Sequence, residues 1–91
     1  MTPLFSVIIP VFNRADVLER AIRSVLEQTC QDFEIVVVDD GSRDRSKLIL
    51  DRLAARDSRL RVISRKNTGI LGALNDAIAA AGGEFLVVQN L

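Results

Sequence analysis

The chain has 91 residues, 48% of them hydrophobic and 26% charged, a balance too apolar for disorder in a length that suits one core rather than two. Twelve basic residues offset twelve acidic ones and are spread along the chain, so no nucleic-acid or anionic-membrane surface is expected. With no histidine and a single cysteine, an internal disulfide, the histidine-containing zinc sites and a Ser-His-Asp triad are excluded, which leaves carboxylates as the main candidates for chemistry.

The N-terminal segment "MTPLFSVIIP" has no basic leader, and its apolar run is about half the length of a membrane span. A soluble, cytoplasmic chain is the expectation. Leu4 to Ile9 is a β-branched run stopped by Pro10, which predicts a strand buried on both faces. From Asp16 to Thr29 the residues Val17, Leu18, Ala21, Ile22, Val25 and Leu26 recur at helical spacing with charged residues between them, and Asp16 and Asn13 are the available caps. Cys30, just beyond that helix, has no histidine to activate it and is given no role.

Glu34 to Val38 predicts a second buried strand, and "GSRDRS" leads into a helix through about Ala55 whose inward face is Ile49, Leu50, Leu53 and Ala54. The stretch "RLRVIS" alternates polar and apolar residues, which predicts an edge strand with Arg61 facing water. After the loop "RKNTG", a third helix carries Leu71, Leu74, Ile78 and Ala81 on one face and ends at Gly82 and Gly83. Glu84 to Val88 is the fourth strand.

Strands alternating with helices predict parallel pairing and a three-layer α/β/α sandwich with a four-stranded sheet of order 3-2-1-4. Ligands of such sheets bind beyond the carboxyl ends of the strands, which here carry "PVFNR", "DDGSRD", "RKNTG" and "QNL". Asp39 and Asp40 repel one another, and neither has a basic neighbour in sequence before Arg43. They read equally well as caps of the following turn and as ligand groups. Arg65 and Lys66, followed by the flexible Asn67 to Gly69, offer cations before a helix N-terminus, a weak signal for a diphosphate. The dinucleotide fingerprint and the Walker loop are both absent from the sequence.

Four pieces in order, "SVIIPVFN", "SVLEQT", "VVVDDGS" and "NTGILGALNDAIAAAGGEF", closely resemble the N-terminal, nucleotide-sugar-binding half of family-2 glycosyltransferases, inverting enzymes of A-type fold. The resemblance covers nearly the whole chain. It implies a nucleoside diphosphate sugar lying across the strand ends. Pro10 and Phe12 would line the base pocket with Asn13 beside them, and Asp40 would accept a hydrogen bond from the base. Asp39 would support the loop, and Arg65 or Lys66, with Asn67 and Gly69, would lie near the diphosphate.

In the family a D-x-D motif after the fourth strand holds manganese or magnesium on the diphosphate, whereas Asn90 takes the place of the first acid here. The expectation is therefore one truncated nucleotide-sugar-binding domain over residues 1–91, with no metal or other cofactor of its own and no catalytic base. The same motifs fit a second class, a catalytically inactive nucleotide-binding or assembly module of this fold. The fourth strand has a neighbour on one side only, so a homo-oligomer through its free edge is also expected.

Overall fold

The computed structural model describes residues 2–67 and 69–91, so Thr68 of the Asn67 to Gly69 loop lies outside the described residues. The elements in chain order are β1 (Phe5–Val11), α1 (Ala15–Leu26), β2 (Phe33–Asp40), α2 (Ser46–Arg56), β3 (Leu60–Arg65), α3 (Ile70–Ala80) and β4 (Phe85–Val88). All strand pairs are parallel, and the sheet order is β3-β2-β1-β4. The β-α-β connections require the parallel pairing, since each helix crosses back over the sheet before the next strand starts.

Strand alternation divides the core in two. Val7, Ile9 and Val11 of β1 pack with Leu18, Ile22 and Val25 of α1 and with Leu50 and Leu53 of α2. Ile8, with Val36 and Val38 of β2, faces the other way, onto Ala73 and Ala77 of α3. This makes the three layers predicted from the sequence. Leu18 and Ile22 are fully buried, and side chains of this size each stabilise a fold by about 1.5–3 kcal/mol on burial.

Several boundaries and one face differ from the sequence-based expectations. Strand β1 runs through Pro10 to Val11 instead of stopping at Ile9, and β2 spans Phe33–Asp40 rather than Glu34 to Val38, because their parallel pairing continues to Val11 opposite Asp39; β3 lies one residue later than expected, at Leu60–Arg65. Helix α1 ends at Leu26 rather than Thr29, because Gln31 folds back and its side-chain amide donates to the Leu26 carbonyl at 3.2 Å. Its N-cap is Arg14 rather than Asn13 or Asp16, and no side chain of the helix itself caps it. Strand β4 starts at Phe85, one residue late. In α3 the buried stripe is Ala73 and Ala77, with Leu74, Ala80 and Ala81 partly buried, while Leu71 and Ile78 of the predicted inward face are exposed. The helix is apolar on nearly every side, so spacing alone does not select a face, and the small alanines permit the close approach to β1 and β2.

Strand β3 is an edge, as expected, and its Arg61 reaches across to Glu34 of β2 at 3.0 Å. Strand β4 is the other edge, and all four of its residues are exposed. Among the described residues, no helix is long and apolar enough to cross a membrane.

Candidate nucleotide site at the strand ends

Strand pairing joins β1 and β2 as far as Val11 opposite Asp39, and beyond it the two loops are bound together by side chains. Asn13 has a φ of +52°, a left-handed conformation that asparagine tolerates better than most residues. Its Oδ1 accepts the Arg43 N–H at 2.8 Å, and its own N–H donates to Ser42 Oγ at 2.8 Å. Asp44 and Ser46 extend the clasp, with Asp44 Oδ2 accepting the Ala15 N–H at 3.1 Å and Ser46 Oγ accepting the Arg14 N–H at 3.0 Å. Hydrogen bonds from the Ser46 hydroxyl and N–H, and then from Ala15, hold the Asp44 carboxyl below the usual carboxylate range. The N–H groups of the N-cap residue Arg14 and of Ala15, the first residue of α1, are thus satisfied from the neighbouring loop, in place of a cap from the helix's own segment.

The paired acids divide their work. Asp39 Oδ1 accepts the Ser42 N–H at 3.1 Å, so this acid caps the turn after β2. Asp40 Oδ2 accepts the Gly69 N–H at 3.1 Å, and its Oδ1 lies 3.3 Å from Arg65 Nε. Both carboxylates are buried, Asp40 to 6% exposure. The basic partner missing from the local sequence comes from the next strand, because the β2–β3 register sets Asp40 opposite Arg65. A buried carboxylate without such a partner is costly. Arg65 also pairs with Asp76 of α3 at 2.8 Å, and it lies so close over Gly72 that a Cβ there would come within 2.6 Å of the guanidinium.

Two glycines bring the β2 and β3 loops together. Gly41 has a φ of +78°, and a Cβ on it would meet the Asn67 backbone nitrogen at 2.6 Å. Gly69, with a φ of +105°, lets the chain turn into α3 while its N–H faces Asp40.

The result is a cleft of about 440 Å³ beyond the ends of β1 and β2, with Pro10, Phe12, Asp40, Asn67 and Gly69 on its walls. Five of the nine nucleotide residues expected from the sequence therefore share one cavity. Lys66, Arg65 and Asn13 line a neighbouring depression on the β3 side, which Phe12 and Asn67 also border. Asp39 borders neither. The cleft also contains Arg14, Ile70, Ala73, Asn90 and Leu91, none of them singled out from the sequence as nucleotide contacts. Arg14 and Leu91 belong to the strand-end stretches "PVFNR" and "QNL", but their meeting depends on β4 lying beside β1, where Arg14 Nη2 donates to the Leu91 carbonyl at 2.7 Å.

An open parallel sheet with a cleft of mixed apolar and acceptor character across its strand ends is the arrangement of a nucleotide-binding α/β domain. The profile described as Glycosyl transferase family 2 matches residues 6–90, and the chain belongs to that family. It is 44% identical over 86 residues to the uncharacterized glycosyltransferase EpsJ of Bacillus subtilis, covering 94% of this chain and 25% of that protein. To the glycosyltransferase GlyG of Streptococcus pneumoniae it is 38% identical over 91 residues, covering 99% of this chain and 30% of that protein.

Among solved structures it matches a mannosyltransferase of Pyrobaculum calidifontis in complex with GDP-Man and Mn2+, with a TM-score of 0.88 and 29% identity over 99% of this chain and 28% of that one. It likewise matches TarS of S. aureus in complex with UDP-GlcNAc, with a TM-score of 0.86 and 32% identity over 96% of this chain and 26% of that one. The fold is thus the A-type glycosyltransferase fold, and the chain spans between a quarter and a third of the length of these relatives.

The mannosyltransferase structure carries a divalent ion, Mn2+. Hard cations take several oxygen ligands, carboxylates foremost. Among the described residues no group of three His, Cys, Asp or Glu side chains converges, and the end of β4 carries the neutral Asn90. These residues do not fit a divalent ion.

Proposed function

We propose that these residues form the donor-nucleotide part of an inverting family-2 glycosyltransferase, binding the nucleoside diphosphate of a sugar donor across the ends of β1, β2 and β4. The observation that carries this reading is Asp40, a buried pure acceptor on the wall of a cleft whose other walls include Pro10, Phe12, Ile70 and Ala73. Apolar walls suit the faces of a base, and a carboxylate suits its ring N–H. Arg65 and the Gly69 N–H fix the direction of the carboxylate, so its acceptor geometry is set before a ligand arrives. The longer relatives in the family supply the context for transfer: the sugar would project past the end of β4, towards whatever segment carries the acceptor and the catalytic base.

Titration calorimetry with uridine, guanosine and thymidine diphosphates tests the reading. Asp40→Asn is expected to weaken binding about tenfold or more, since a hydrogen bond to a charged group is worth roughly 1.5–3 kcal/mol. Asp39→Asn keeps an acceptor oxygen for Ser42 and is expected to bind as the wild type does. Equal affinity in wild type and Asp40→Asn would remove Asp40 from the site.

A further inference from the structure

Two charged side chains line the cleft among the described residues, Asp40 and Arg14, and the sheet order separates them. Asp40 ends β2, whereas the Arg14 guanidinium is drawn towards the end of β4 by its bond to the Leu91 carbonyl. With β1 between β2 and β4, those two ends stand two strand spacings apart, about 10 Å. The cleft therefore has an acceptor end and a cationic end.

A nucleoside diphosphate has the matching polarity, with N–H donors on its base and negative charge on its far end. We propose that Arg14, in place of a divalent cation, holds the diphosphate of the nucleotide in this chain. The proposal rests on the donor-site reading above, and it adds a residue and a metal requirement that the reading leaves open.

The other cations near the site lie in the wrong direction. Arg65 is engaged with Asp40 and Asp76, and Lys66 and Arg43 border the depression on the β3 side of Asp40. A nucleotide with its base on Asp40 and its body in the cleft extends away from all three. The backbone donors at the start of α1 are also taken, Arg14 N–H by Ser46 and Ala15 N–H by Asp44. The guanidinium itself has five N–H donors in a planar fork, a shape that meets two phosphate oxygens at once. It brings positive charge to the strand end whose side chain, Asn90, is neutral and where no cluster of metal ligands forms among the described residues.

Calorimetry of uridine and uridine diphosphate, each in chelator and in manganese, on wild type, Arg14→Gln and Arg14→Lys decides it. The wild type is expected to bind the diphosphate within about twofold equally in chelator and manganese. Arg14→Gln is expected to lose about tenfold in affinity for the diphosphate and none for uridine, a loss of the size seen for single charge-assisted contacts. Arg14→Lys, which keeps the charge without the fork, falls between them on the diphosphate alone. Unchanged diphosphate affinity in Arg14→Gln, equal losses on both ligands, or a tenfold gain from manganese in the wild type each overturns the proposal. Should Arg14→Gln lose its circular-dichroism signature, the manganese comparison on the wild type still decides. A wild type that binds neither ligand overturns the donor-site reading itself, and this inference with it.

Discussion

Asp39 and Asp40 are neighbours in the chain with different environments, because successive residues of a strand face opposite sides of the sheet. Asp39 turns to the β2–α2 loop and caps it, while Asp40 turns to the cleft, Arg65 and Gly69. Spacing alone made this pair conspicuous without telling the two apart, a division that only the family resemblance implied, since the structural partner of Asp40 is 25 residues away in sequence and adjacent only through the β2–β3 register. Asn13 carries a structural contact as well: its place in the motif suggested a ligand contact, and its side-chain oxygen accepts the Arg43 N–H. Gly41 was legible as a turn residue, but the reason it must be glycine lies in the Asn67 backbone 2.6 Å from where a Cβ would sit. Gly41→Ala combines that clash with a left-handed φ and is expected to destabilise the chain by about 1–3 kcal/mol. Urea denaturation checks this, as a lower midpoint with an unchanged slope; an unchanged midpoint would show that the two loops separate without penalty.

At the scale of elements, the ends of the sheet opposite the cleft are closed by Glu34. Its Oε2 accepts the Ser6 hydroxyl at 2.6 Å and the Gly82 N–H at 2.6 Å, its Oε1 pairs with Arg61 at 3.0 Å, and Ser6 Oγ in turn accepts the Gly83 N–H at 2.8 Å. This cluster fixes where α3 ends and β4 begins, and hence where the end of β4 meets Arg14. Burial works against the charged form of Glu34, but Ser6, Gly82, Arg61 and Gly83 together outweigh it and hold the carboxyl below its ordinary value of 4.5. A depressed carboxylate stabilises the fold fully above the unfolded-state value and loses that contribution as pH falls through the folded-state one. Glu34→Gln is therefore expected to be less stable than the wild type near neutral pH, by roughly 1–3 kcal/mol, with the gap closing below about pH 4. Thermal melts of both proteins across that range measure it, and a gap independent of pH would contradict the assignment. The order of the elements was readable from periodicity and turn residues, whereas the face of α3 was not, because Ile70, Leu71, Leu74 and Ile78 surround the helix with apolar choices.

On the scale of the whole molecule, the cleft draws on segments that are far apart in the sequence: the end of β1, the end of β2, the loop into α3 and the residues after β4. Only the parallel order β3-β2-β1-β4 brings them to one edge, which is why the strand-end stretches, "PVFNR" and "QNL" among them, could be nominated from the sequence while the meeting of Arg14 with Leu91 could not. The open edge of β4 and the exposed Leu71 and Ile78 are apolar surface outside the residues that line the cleft. The central claim is that this edge of the sheet is where a nucleotide binds. Backbone amide shifts of the isotopically labelled chain, followed by NMR as uridine diphosphate is added, test it most directly. Shifts concentrated at Phe12, Arg14, Asp40, Gly69 and Ile70 are the predicted result; no shifts at millimolar ligand, or shifts centred on Ser6, Glu34 and Gly83 at the opposite ends of the strands, would contradict it.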